Sequence, residues 1–202
     1  ESDSSGRTSF RRLVDILGER KADVIISSST LHLIPAKKIG DLVCQFAGSL
    51  AEGGAFIWSS GDIESDFRPD YSVRLHDPYR AVRELLRDDE RRSARLSKMA
   101  GDEIDRHERR LDRIFPSPFS IEVVQEALKD AGFSSDISEE IVDFSNEDAE
   151  RFVLVPRLAE IAAPLQEGEE RDNAIKRALN SALKSIADEG KGSDEAYRSH
   201  WV

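Results

Sequence analysis

The sequence predicts an α/β protein with a mostly parallel sheet and a helical insertion, and three observations carry that expectation. Residues 22–27 (ADVIIS) and 55–58 (AFIW) are short β-branched or aromatic runs, the pattern of strands covered on both faces. Between them Ile39, Leu42, Val43, Phe46, Ala47 and Leu50 recur at three- and four-residue spacing, which makes one apolar helix stripe. Two strands joined by such a helix run parallel with a right-handed crossover. From residue 78 to 115 the apolar period then turns helical throughout.

Each element has its local reason. Phe10, Leu13, Val14 and Leu17 form a short stripe ending at Gly18, after a polar start over residues 1–8. The β-α-β unit follows over residues 22–62, with Gly53 and Gly54 expected to stop its helix. Residues 63–77 read as a loop rich in charge and aromatics. Over 78–115, Val82, Leu85, Leu86, Leu96, Met99, Ile104, Leu111, Ile114 and Phe115 make a stripe broken near Gly101 and closed by Pro116 and Pro118. Ser120 caps a helix carrying Ile121, Val124, Leu128 and Ala131, which stops at Gly132. A strand is expected at 137–144, and a helix interrupted by Pro156 over 146–165. A clear helix runs through Ile175, Ala178, Leu179, Ala182, Leu183 and Ile186 to Gly190, and a final strand over 195–202. Residues 1–62 with 119–202 form the expected core, and 63–118 the insertion.

Composition narrows the function. The net charge of −11 opposes the phosphate neutralisation on which nucleic-acid binding rests, so no nucleic-acid partner is expected. The slightly basic stretch 80–113 is mixed in sign and reads as a solvated helix face. One cysteine, Cys44, makes no intramolecular disulfide; its place on the edge of the 39–50 stripe suggests a packed thiol. No apolar run reaches the roughly 20 residues a bilayer span requires, so the expectation is a cytoplasmic protein without a membrane partner. Four scattered histidines lack H-x-x-x-H or H-x-H spacing, and no metal site is expected.

Ligands in open α/β sheets sit beyond the carboxyl ends of the strands. Those ends are Ser27–Ser28–Ser29–Thr30–Leu31–His32 and Ser59–Ser60–Gly61–Asp62. His32 is a candidate general base, because an imidazole titrates near neutrality. Asp62, Tyr71, His76 and Tyr79 are candidate substrate contacts. His107, beside Glu103 and Glu108, reads as solvated, and Trp58 as core. A serine hydrolase built on Ser28 and His32 lacks the G-x-S-x-G elbow.

The order of these pieces resembles the C-terminal half of a class I S-adenosylmethionine-dependent methyltransferase. The resemblance rests on ADVIISSSTLHLIP at 22–35, Leu50-Ala51-Glu52-Gly53-Gly54-Ala55-Phe56, Leu128-Lys129-Asp130-Ala131-Gly132-Phe133, and the aromatic end at 196–202. It implies a Rossmann-like, mostly parallel sheet, S-adenosylmethionine as methyl donor, and a small-molecule acceptor. It also implies that Ser27, Ser28 and Ser29 line the methionine end of the cofactor, with residues 63–118 as a lid. The family's glycine-rich loop and the acidic residue ending its second strand have no counterpart here. The expectation is therefore a C-terminal fragment of such an enzyme. The alternative is a noncatalytic methyltransferase-like module that dimerises or binds a partner through its helical insertion or its unpaired sheet edge.

Overall fold

The computed structural model describes residues 12–162 and 165–202; Phe10, expected in the first helix, lies outside them. Helix α1 (Leu13–Leu17) packs on α2 (Ile39–Ser49), the connection between strands β1 (Ala22–Ser28) and β2 (Leu50–Ser59). The two strands pair in parallel, Ile25 opposite Phe56 and Ile26 opposite Ile57. The helix ends earlier than Gly53, at Ser49, whose hydroxyl donates back to the Gln45 carbonyl at 2.7 Å. Gly53 and Gly54 instead lie inside β2, where the register jumps: Ala22 faces Leu50, but Val24 faces Ala55. Gly53 takes φ +74°, and a Cβ on Gly54 would sit 3.0 Å from the Asp23 carbonyl. The glycine pair thus forms an irregularity in the strand, where only small residues permit the close approach.

One face of the parallel pair turns Phe56 and Trp58 toward α2 and α6 (Ile121–Asp130), around a buried cluster of Leu31, Ile39, Val43, Ile63, Val124 and Leu128. The opposite face is open among the described residues, with Val24 49%, Ile26 72% and Ile57 55% exposed. This corrects the expectation of strands covered on both faces. The later helices gather around a second core and leave this side bare.

That second core joins α3 (Asp77–Arg87), α5 (Gly101–Ile114), α7 (Asn146–Val153) and α9 (Glu169–Asp188) through Val82, Leu86, Leu111, Val153, Ile175 and Leu179. Between α3 and α5 lies α4 (Glu90–Leu96), its first turn capped by Asp89, which accepts from the Arg91 and Arg92 amides. Pro156 ends the α7 segment by opening a new short helix, α8 (Pro156–Ala159), where a proline in the first turn loses no hydrogen bond. Strand β3 (Glu140–Ser145) pairs antiparallel with β4 (Ala196–Trp201). On β4, His200 donates to the Val73 carbonyl at 2.9 Å, and Val202 and Ser60 exchange backbone hydrogen bonds at 3.0 and 2.9 Å. The end of β4 therefore lies against the end of β2.

The protein is mixed α/β, with one parallel and one antiparallel two-stranded ladder among the described residues. Among the described residues no helix is long and apolar enough to cross a membrane. Two smaller expectations are revised. Cys44 is exposed rather than packed. His107 is half-buried rather than solvated, and burial, with Arg92 nearby, lowers its pKa.

Candidate active site

The chain leaves β1 through Ser29, the one non-glycine residue with positive φ (50°) among the described residues. Three polar contacts hold this strained corner. The Ser29 amide donates to the Ser59 carbonyl at 2.9 Å, the Ser28 and Ser59 hydroxyls meet at 3.0 Å, and Thr30 Oγ1 donates to the Ser28 carbonyl at 2.8 Å. The corner feeds a single 3₁₀ turn, Leu31–Leu33. Leu31 goes fully into the core and His32, 3% exposed, points across to the end of β2. There Ser60 Oγ lies 2.9 Å from His32 Nδ1 and accepts the Asp62 amide at 3.3 Å. Ser60 can donate its own proton to Nδ1 in this position, which leaves a neutral imidazole with its proton on Nε2.

Asp62 is 1% exposed and surrounded by donors. Arg80 Nη1 donates to Oδ1 at 2.8 Å and Nη2 to Oδ2 at 2.6 Å. The His76 amide donates to Oδ1 at 3.2 Å, and His76 Nδ1 sits 3.3 Å from Oδ2 at poor alignment. Burial alone would raise the Asp62 pKa. The bidentate Arg80 guanidinium and His76 outweigh it and hold the carboxyl well below its usual range. Arg80 is fixed in turn by the Pro116 carbonyl at 2.7 Å. His32 moves the other way from a solvated imidazole: burial first, then the neighbouring His76, lowers its pKa to about 4. Its ring meets His76 edge-on, with centroids 5.0 Å apart.

These groups form the inner end of a cavity of about 430 Å³, within the range of small-molecule sites. Ser29, His32, His76 and the buried Tyr79 line its depth, and Phe144, Phe152 and Trp201 its aromatic walls. Phe152 stacks on His76 at 6.0 Å between centroids, and Tyr79 lies 5.2 Å from Phe152. Leu33, Leu75, Ile114 and Leu158 complete an apolar lining, with Asp148 and Arg157 its charged members.

The chain matches no protein-family profile, no curated protein and no solved structure.

Of the residues singled out in the sequence, Ser29, His32, His76 and Tyr79 converge on the cavity, and Asp62 sits behind it, holding His76 and Arg80. Ser27 lies within β1 opposite Trp58, and Ser28 is tied to Ser59; neither lines the cavity. Tyr71, 53% exposed, is elsewhere, under the Arg198 guanidinium at 5.8 Å. Ser60 and Arg80 were not singled out, although the site depends on both. Arg80 belonged to a run of alternating charge, and its partner lies 18 residues away.

Ligand atoms of His32, Asp62 and His76 lie within 4.8 Å of one another, close enough for one cation to bridge. Both Asp62 oxygens are already bound to Arg80, a permanent positive charge that repels a second cation. The arrangement is better suited to holding and moving a proton. Asp62 Oδ2, 3.3 Å from His76 Nδ1, sets a buried negative charge beside that ring.

Proposed function

We propose that this cavity is the acceptor site of a methyltransferase-like protein with a Rossmann-like sheet, which binds a small aromatic molecule and takes the proton from its hydroxyl or amine. One observation carries the reading: an apolar, aromatic-walled cavity at the carboxyl ends of β1 and β2 has two imidazoles at its inner end, one of them backed by a buried carboxylate. His76 is the proton acceptor, since Asp62 stabilises the imidazolium that forms. His32 stays neutral at pH 7, because its pKa is lowered to about 4. A group so weakly basic serves as a hydrogen-bond donor through Nε2 and orients the acceptor atom.

S-adenosylmethionine is the methyl donor this reading implies, and it would supply an electrophilic methyl group for in-line attack by the acceptor. The described residues fit it poorly. Of the three serines expected at its methionine end, Ser29 alone lines the cavity, and Asp148, the one lining carboxylate, is already held by Ser145 and Arg151. Its one G-x-G, Gly190–Lys191–Gly192, leads from α9 into β4 instead of from a strand into a helix, so it offers no cradle for the adenosyl part. The proposal therefore assigns these residues to the acceptor and its proton.

Calorimetric titration with 2-naphthol tests the acceptor site, and parallel titrations with S-adenosylmethionine and S-adenosylhomocysteine test the donor. Binding of 2-naphthol, weakened at least about tenfold in Phe152→Ala, supports the cavity as the site. Absence of naphthol binding to the folded chain overturns it. Micromolar S-adenosylmethionine binding supports methyl transfer, and its absence removes the donor from the chemistry of this chain.

A second reading, a noncatalytic module that pairs with another copy or a partner, is favoured by the bare face of Val24, Ile26 and Ile57. Parallel sheets are normally covered on both sides. Sedimentation equilibrium of the chain against Ile26→Lys separates the two: a dimer lost in the variant supports the module, and a monomer in both cases rejects self-pairing through this face.

A further inference from the structure

The geometry points to an aromatic carboxylic acid as the ligand class of this cavity, with Arg157 as the residue that selects it. The inference rests on the cavity being the ligand site described above, and adds the charge of the ligand.

The two charged lining residues are not equivalent. Asp148 is already engaged, since the Ser145 hydroxyl donates to its Oδ2 at 2.8 Å and Arg151 lies 3.6 Å from its Oδ1. Arg157, on the short helix α8, has no hydrogen bond or ion pair among the described residues. It therefore places a positive charge without a partner of its own on a mostly apolar lining, whose other charged member, Asp148, is already engaged. Many arginines are tied to carboxylates, as Arg83 is to Glu108 and Asp112 and Arg110 is to Glu160; Arg113 and Arg177, like Arg157, have no ion pair among the described residues, but neither lines this cavity. What sets Arg157 apart is its place on the cavity, where a bound ligand can supply the missing partner.

The remaining chemistry fixes the body of the ligand. Phe144, Phe152, Trp201 and Tyr79 offer ring faces and edges to a flat apolar skeleton. His32 and His76 lie at the buried end, whereas Phe152, 39% exposed, and the exposed Arg157 belong to the rim. A planar molecule with a hydroxyl or amine at one end and a carboxylate at the other satisfies both ends. The guanidinium fork accepts a carboxylate in two parallel hydrogen bonds, a geometry that an amide or ester cannot reproduce.

The test is calorimetric titration with 6-hydroxy-2-naphthoate and its neutral analogue 6-hydroxy-2-naphthamide, against the wild-type chain, Arg157→Ala and Arg157→Lys. None of these measurements needs a methyl donor. The naphthoate is expected to bind the wild type about tenfold more tightly than the amide, the scale of a charge-assisted contact at a partly hydrated rim. Arg157→Ala should erase that preference and leave amide binding within about twofold, while Arg157→Lys restores part of it. Binding of both probes with no preference, or a preference that survives Arg157→Ala, overturns the inference and leaves the cavity reading standing. Binding of neither probe overturns both.

Discussion

Replacing Asp62 by Asn removes one charge from the centre of the site while keeping the shape of the side chain. In the wild type the Asp62 oxygens take two guanidinium hydrogen bonds at 2.8 and 2.6 Å and the His76 amide at 3.2 Å. Removing one partner from a buried ion pair costs about 3–5 kcal/mol, because the other charge is left uncompensated. Arg80 retains the Pro116 carbonyl at 2.7 Å, and its side chain is 21% exposed. Partial hydration therefore puts the expected loss at the lower end, about 3 kcal/mol. Urea unfolding followed by far-UV circular dichroism at pH 7 reads this directly. The pH dependence supplies a second check. The folded pKa of Asp62 lies below its unfolded value of about 4, so its contribution is full above that pH and is lost as pH falls toward the folded value. The gap between wild type and Asp62→Asn should therefore narrow below about pH 4. A loss under about 1 kcal/mol at pH 7 would refute the claim that this pair anchors the site.

Three other outcomes follow from the same geometry. His32 should titrate near 4 in a C2-proton NMR experiment. Since an unfolded imidazole titrates at about 6.5, the unfolded state binds more protons in between, and stability of about 3 kcal/mol, full above 6.5, is lost as pH falls toward 4; a midpoint above 6 would contradict this. Gly61→Ala places a Cβ 2.6 Å from Trp201 Cε2 and 2.9 Å from Leu75 Cβ, and should cost about 1–3 kcal/mol while changing the fluorescence of Trp201 on the cavity wall; an unperturbed variant would show that the wall is loose. Ile175→Ala, at a side chain 0% exposed, should lose about 2–5 kcal/mol, whereas Ile26→Ala, at 72% exposure, should lose under about 1; equal losses in thermal unfolding would mean that the open sheet face is covered in solution.

The elements that sequence reveals here are those whose cause is local. The stripe of Ile175, Ala178, Leu179, Ala182, Leu183 and Ile186 became the buried side of α9, and Ser120 and Gly132 bound α6 as a cap and a stop. The carboxyl-end rule likewise led to His32 and Asp62. What stayed hidden depends on distant partners. The apolar run in β1 reads as buried on both sides, yet the later helices collect around the core of α3 and α9 and leave Val24 and Ile26 exposed. The Glu-Gly-Gly segment looked like a helix stop because glycine ends helices and also permits strand irregularities; the register of β1 decided between them.

The first turn of α3 shows most clearly why the site was only half visible. Sequence periodicity identified the helix and assigned its surroundings to a covering insertion. Asp77 ties that turn to Arg74, Tyr79 faces the cavity, and Arg80 reaches back to Asp62, while His76 stands at the helix entrance with its amide on the same carboxylate. Helical geometry puts residues 76, 79 and 80 on one side, three and four positions apart. The spacing that made this segment look like an amphipathic stripe is therefore also what presents an imidazole, a phenol and a guanidinium together to the end of β2. The first turn of α3 is part of the candidate site, and a change that shifts α3 should alter the surroundings of His76 as well as access to the cavity.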